Sequence, residues 1–293
     1  MNPVVACFFD DNTNSAAYVI YDPETSRGAI IDPVMDFDPV SGRVSYDNAK
    51  AIVDYVVDKG LEIVWILETH VHADHLTASN WLQSKLGGRT GIGIGIRKVQ
   101  KSCKAIFNLF DELEDDGSQF DELFESGSTF NIGNIAVSVL GTPGHTPACV
   151  TYVMGDACFV GDTLFMPDSG TARCDFPGGD AKQLFSSIQK ILQLPLKTRV
   201  FVAHDYGAGG KRSFAWETTI GEQQKHNIHV GEGSLEHDYV LMREQRDKTL
   251  DLPRLIFPAI QVNIRGGVFP KAEPNGISYL KLPVNALSAY DFG

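Results

Sequence analysis

ILETHVHADH, residues 66–75, crowds three of the chain's eight histidines and an aspartate into the six positions that follow an apolar run. The run, VWIL, reads as a buried strand. His70 and His72 are two apart, so in extended chain they project to one side. Asp74 and His75 follow at the start of DHLTASNWLQSKLGG, which has helical periodicity, with Asp74 placed to cap it and Gly87-Gly88 to end it. The histidines therefore stand where a strand runs out.

Other potential ligands stand in the same kind of place. VSVLGTPGH ends on His145, CFVGD on Asp162 and RVFVAH on His204. If these strands finish at a common sheet edge, the loops converge although they lie far apart in sequence. Imidazole and carboxylate together, with no thiolate pair, suit zinc or iron in an open site rather than a closed structural one. His226, His229 and His237 lie in a polar C-terminal stretch and read as surface residues.

Two blocks of strands, each followed by helices, predict the fold. VVACFF, AAYVIY and GAIIDP are short strands; DNAKAIVDYVVDKG is a helix that starts at Asp47 and stops at Gly60. NIAVSVLGTPGH, CVTYVMGD and ACFVGDTLF form the second block, followed by the helix DAKQLFSSIQKILQLP and the strand TRVFVAHDY. The expectation is an α+β αββα sandwich, one domain over 1–293. It carries a peripheral helical insertion at about 96–128 and a C-terminal extension from about 213, helical at first and then loop through LPRLIFPAI. GIGIGI, residues 91–96, lacks the spacing of a dinucleotide fingerprint and reads as a close-packed strand.

Composition narrows the partners. A formal charge of -12 over 293 residues repels nucleic acid and anionic membrane, and no apolar run is long enough to span a bilayer. Without a basic and apolar leader, and with five scattered cysteines that offer no CxxC pair, the chain is expected in a reducing cytoplasm. Cys149 and Cys158 fall in strands as core residues, whereas Cys174, in TARCDF, is the one cysteine singled out to watch.

HVHADH, the PGH of GTPGHTPA, the GD of FVGDTLF and the final HDY resemble the metallo-β-lactamase superfamily, in the right order and over most of the chain. ETHVHADHLTAS, GDTLFMPDSGTARCDFPGGD and WETTIGEQQKHN are most similar to its persulfide dioxygenases, in particular the bacterial β-lactamase-hydrolase-like subgroup. Some of that subgroup carry an extra domain, for which 293 residues leave no room. The resemblance implies the sandwich of that superfamily and one Fe(II) per chain held by His70, His145 and Asp162. Glutathione persulfide and O2 would be the substrates, sulfite and glutathione the products. His72, Asp74, His75 and His204 would then orient the ligands. Arg173 matches the family's Arg-Asp-Phe motif with Cys174 interposed, and with Tyr206, Lys211 and Arg212 it is expected to meet the substrate's carboxylates; Asp175 or Asp162 is the competing partner for Arg173.

Counting ligands leaves a second arrangement open. His70, His72 and His145 would hold one zinc or iron, Asp74, His75 and His204 another, and Asp162 would bridge them. That is a hydrolase of the glyoxalase II type, cleaving a thioester or lactone with a bridging hydroxide. A protein that binds metal without catalysis and passes sulfur on is a third reading, and a homodimer is compatible with all of them.

Overall fold

The structure is a computed structural model and describes residues 1–285. Along the chain run β1 (Val4–Asp10), β2 (Ser15–Tyr21), β3 (Arg27–Ile31), β4 (Val34–Asp38), β5 (Arg43–Ser45), α1 (Asp47–Asp58), β6 (Glu62–Leu67), β7 (Leu76–Thr77) and α2 (Ser79–Leu86). Next come β8 (Arg89–Gly93), α3 (Ile96–Ile106), β9 (Glu122–Phe124), β10 (Thr129–Ile132), β11 (Ile135–Gly141), β12 (Val150–Met154), β13 (Ala157–Phe159) and α4 (Ala181–Leu192). The last elements are β14 (Arg199–Phe201), the turn α5 (Gly207–Gly210), β15 (Glu217–Thr219), α6 (Ile220–His226), α7 (Glu236–Asp247) and α8 (Ile256–Asn263).

Period-two alternation builds the sandwich. One sheet has the order β1-β2-β3-β6-β8-β9, the other β10-β11-β12-β13-β14-β15. In β2, Ala16, Tyr18 and Ile20 face the second sheet, while Ala17 and Val19 face the helices α1 and α2. In the second sheet Ala157, Phe159 and Phe201 point inward, and Cys158, Val200 and Val202 meet α4 and α7. Burying apolar surface on both faces of both sheets is the main stabilising force. Two buried phenols then tie the sheets together at one edge. Tyr18 donates its hydroxyl to Val202 O at 2.5 Å, and Tyr152 donates to Glu68 O at 2.9 Å. Both acceptors lie just beyond strand ends, β14 and β6, from which ligand loops depart. A buried tyrosine needs such a partner for its hydroxyl.

Several expectations are corrected here. Asp74 does not cap α2, which begins only at Ser79, because Leu76 and Thr77 pair with β4 instead. The glycine run is strand only to Gly93, and α3 starts at Ile96. Glycine is needed there because a Cβ on Gly95 would sit 1.9 Å from Pro147 O. WETT, expected to be helix, is strand β15 on the edge of the second sheet. IFPAI, expected to be loop, opens α8; Pro258 falls in its first turn, where the missing N–H is no loss. Within 96–128, β9 is the edge strand of the first sheet, and Phe107, Leu109, Leu113 and Phe120 are buried beside α3. All five cysteines are free, and Cys149 and Cys158 are buried among apolar neighbours. Among the described residues no helix is long and apolar enough to cross a membrane.

The glycine of PGH fixes how His145 is presented. Gly144 has φ 144°, and a Cβ there would lie 2.3 Å from the backbone of Leu184 in α4. Gly144→Ala should therefore cost about 3 kcal/mol in urea unfolding. Gly42→Ala, where φ is 66° but nothing stands within 4 Å, should cost only about 1 kcal/mol. Equal losses at the two positions would show that α4 does not press on the His145 loop.

Candidate metal centre

His70, His145 and Asp162 meet at the edge where the sheets are tied. His70 comes from the loop after β6, His145 from the loop after β11, and Asp162 from the short turn Gly161–Thr163 after β13. His70 Nε2 lies 3.8 Å and His145 Nε2 3.5 Å from Asp162 Oδ2. All three residues are buried, and their ligand atoms fall within 4.8 Å of one another. Gly161 allows this approach: its φ is 53°, and a Cβ would strike Thr69 Oγ1 at 2.5 Å.

The hydrogen bonds fix the tautomers. His145 Nδ1 lies 2.6 Å from Arg173 O; a carbonyl can only accept, so Nδ1 donates and Nε2 is the nitrogen left to face Asp162. For His70 the argument needs one more step. Asp32 accepts from Thr69 N and from the Thr69 hydroxyl, both at 2.7 Å. With its proton given to Asp32, Thr69 Oγ1 is left to accept from His70 Nδ1 at 3.0 Å. His70 Nε2 is then a lone pair aimed at Asp162, buried and without a hydrogen-bond partner. Burial, followed by the neighbouring His72 and His145, holds His70 well below the ordinary imidazole pKa, so it stays neutral. Two imidazole nitrogens and a carboxyl group turned toward one another form a donor set that a first-row cation fits.

His72 goes elsewhere. Its Nε2 lies 3.1 Å from Asp32 Oδ1 and 3.4 Å from Glu68 Oε2. Burial disfavours a charge on His72, but the carboxylates of Asp32 and Glu68 outweigh it and hold its pKa well above the usual value. Asp74 accepts from Ser15 Oγ and faces His75 Nδ1, each at 3.0 Å. His204 donates Nδ1–H to Asn14 O at 3.1 Å and turns Nε2 toward Asp162 Oδ1 at 3.3 Å and Asp74 Oδ2 at 3.5 Å. His75 Nε2 and both nitrogens of His72 are buried and without a hydrogen-bond partner among the described residues. Neither three-ligand set of the binuclear arrangement is drawn together as such among the described residues. The groups that are close instead join His72 to Asp74 and His75, and His72 to Asp32 and Glu68.

A cavity of about 630 Å³ opens over the triad, walled by Phe165, Phe176, Tyr206 and residues of the C-terminal helices. Arg173 lines it, but Asp175 takes Nε and Nη2 at 2.6 and 2.7 Å, and Asp251 O takes Nη1 at 2.6 Å. Arg212 is bound by both oxygens of Asp168 and both of Asp205 and stands outside the cavity wall, as does Lys211. Neither of those two expected substrate contacts lines the cavity. Tyr206 is half-exposed on the wall, its ring stacked on His204 at 6.2 Å. Arg246 and Arg254 line the mouth, both exposed and in no ion pair among the described residues. Cys174 is buried, and burial, then Asp247 beside it, raises its thiol pKa far above the ordinary value, so it is not a reactive thiol.

Sequence reading passed over several residues of the centre. Asp32 carries the signal used for the others, since GAIID also ends a strand on a carboxylate. Asn263 carries no such signal, although its Nδ2 donates to His72 O and His75 O, each at 2.8 Å, and holds the histidine loop. His229 is not a surface residue either: its Nδ1 accepts from Thr171 N at 3.0 Å beneath the cavity wall.

A metallo-beta-lactamase superfamily model matches residues 11–204. The chain is 54% identical over 285 residues to a beta-lactamase hydrolase-like protein of Agrobacterium fabrum, covering 97% of this chain and 65% of that one. It thus spans about two thirds of that relative's length. It is 47% identical to glyoxylase B2 of Dictyostelium discoideum, over 92% of each chain. Against the mitochondrial persulfide dioxygenase ETHE1 of Bos taurus identity is 31%, over 68% of this chain and 66% of that one. The crystal structure of ETHE1 from Myxococcus xanthus superposes with a TM-score of 0.73 at 27% identity, covering 90% of this chain and all of that one.

His229 makes stability depend on pH. Burial, then Arg243 and Arg246, lower its pKa from 6.5 to about 4. As pH falls from 6.5 toward 4 the unfolded chain takes up a proton that the folded chain refuses, so stability drops across that window. His229→Asn keeps an acceptor for Thr171 N and should flatten that part of the urea-unfolding profile; an unchanged slope would mean that His229 is not held neutral.

Proposed function

The chain belongs to the metallo-beta-lactamase superfamily, and from that premise we propose that it is an iron(II)-dependent persulfide dioxygenase with one iron per chain. It takes glutathione persulfide, O2 and water to glutathione and sulfite. The sulfur–sulfur bond breaks, the outer sulfur is oxidised, O2 is reduced, and both oxygens of O2 with one of water end on sulfite. One observation carries the reading. His70, His145 and Asp162 converge on one another, while His72 stands outside that triad with Nε2 toward Asp32 and Glu68. Two imidazoles and one carboxylate leave the remaining positions of an ion open. The relative named persulfide dioxygenase supports the same assignment.

Iron(II), when bound by these three, supplies a redox centre at which sulfur and O2 can meet. The protein supplies the rest. Arg173 O and Thr69 orient the two imidazoles, and His204 stands against the second oxygen of Asp162. The walls of Phe165 and Phe176 exclude bulk water from the sulfur end of the substrate. At the mouth Arg246 and Arg254 accept the tripeptide's carboxylates, a task for which Arg173 has few donors left. Tyr206 offers its phenol between the two ends.

A binuclear hydrolase is the second reading. Two observations favour it: the identity to glyoxylase B2, and the buried His75 Nε2 beside Asp74 with no partner of its own. The two readings separate on metal content and oxygen uptake. Protein purified without air should hold about one iron per chain and consume O2 with glutathione persulfide. Asp162→Ala should empty the site, whereas His72→Ala should leave iron largely bound. Two metals per chain, thioester turnover and no oxygen uptake would install the hydrolase instead. Arg246→Ala and Arg254→Ala should each raise KM for glutathione persulfide roughly tenfold with kcat unchanged; unchanged KM in both would return the carboxylates to Arg173.

A further inference from the structure

Behind the ligand loop lies a second, smaller and more enclosed cavity of about 40 Å³. Its wall is formed by Val71 and Ala73 of the histidine loop, Cys103 and Ile106 of α3, and Ile256 and Ile260 of α8. Its polar residues are Ser102, at the side where α3 meets solvent, and Thr146, whose hydroxyl is engaged with Ala148 N and Cys149 Sγ, each at 3.2 Å; the other lining residues are apolar apart from Cys103. Cys103 is a buried thiol whose pKa burial has pushed up to about 12, so it stands there as a neutral, apolar group. Ala73 and Phe176 belong to this cavity and to the large one over the triad alike. The Phe176 ring meets His145 edge-on, with centroids 5.4 Å apart, and so forms the partition between the chamber and the candidate ligands.

The geometry points to a binding site for O2 in this chamber, adjoining the metal centre by way of Phe176 and Ala73; the inference rests on the dioxygenase reading. Three properties select the occupant. The space admits one small molecule and no part of a tripeptide. An apolar lining offers water too few hydrogen-bond partners to hold it, whereas cavities of this kind take up xenon and other apolar guests. An anionic persulfide is excluded by the cost of leaving water without a counter-charge. Of the two substrates only O2 is small, neutral and apolar. The chamber and the arginine-rimmed mouth then receive the reactants on opposite sides of Phe176, so that O2 does not compete with the persulfide for entry.

Xenon serves as the probe, because it reports on the cavity without turnover. Crystals of the wild-type protein under xenon pressure should show a xenon atom between Cys103 and Phe176. Cys103→Leu fills the chamber and should raise KM for O2 at least threefold, leaving KM for glutathione persulfide and kcat at saturating O2 unchanged. Ile106→Phe, nearer the surface, tests the same point if Cys103→Leu does not fold. Oxygen uptake by the wild type, with no xenon in the chamber and an unchanged KM for O2 in a folded filled variant, overturns the chamber alone. A wild type that consumes no O2 overturns the dioxygenase reading, and the oxygen site with it.

Discussion

The centre depends on a hydrogen bond that never touches the candidate ligand atoms, the one from the Thr69 hydroxyl to Asp32. Because that proton goes to a buried carboxylate, Thr69 can only accept from His70, and His70 can only turn a lone pair into the site. Asp32 reaches this position at the end of β3 with φ 50°, a left-handed conformation that costs backbone energy. The same carboxylate lies against His72, so one buried charge sets the state of both histidines. Imidazoles two apart in sequence, and alike in burial, are thereby given different work.

Strand alternation and strand-end chemistry made most of the fold and of the centre legible. Residues 4–10, 15–21 and 27–31 are strands where apolar runs said so, and α1 and α4 begin where Asp47 and Asp180 stand. The three ligand loops meet because two sheets packed face to face must end at a shared edge. What escaped the reading is tertiary. WETT is no better a strand than a helix by itself, and only pairing with β14 decides it. Leu76 and Thr77, which look like a helix start, are claimed by β4. No pattern around Asn263 announces that its amide will clasp the carbonyls of His72 and His75 from more than a hundred positions away.

Cations illustrate the same limit in an acidic chain. Arg173 and Arg212 lie close in sequence to the motif residues, which made them the natural partners for an anionic substrate. In the fold each is already answered by carboxylates from its own neighbourhood, Asp175 for one and Asp168 with Asp205 for the other. A guanidinium held on both faces of its fork positions loops and has few donors to spare. The arginines at the mouth come from α7 and the segment after it, a region whose sequence reads as an ordinary solvated surface. Their distinction is that no acid among the described residues pairs them, and pairing is a property of three dimensions.

Whether the centre takes one ion or two turns on the free nitrogen of His72. Nε2 faces Asp32 and Glu68, but Nδ1 is buried and without a hydrogen-bond partner among the described residues, so a second metal could meet Nδ1 with both carboxylates still facing Nε2. Glu68 is further committed, since Thr77 and Ser79 both donate to it. Asp32 and Glu68 therefore orient His72 in either arrangement. A single ion on His70, His145 and Asp162 leaves His72 Nδ1 idle, whereas a second ion gives it a partner. The two arrangements thus part at one buried nitrogen, and the carboxylates behind it serve both.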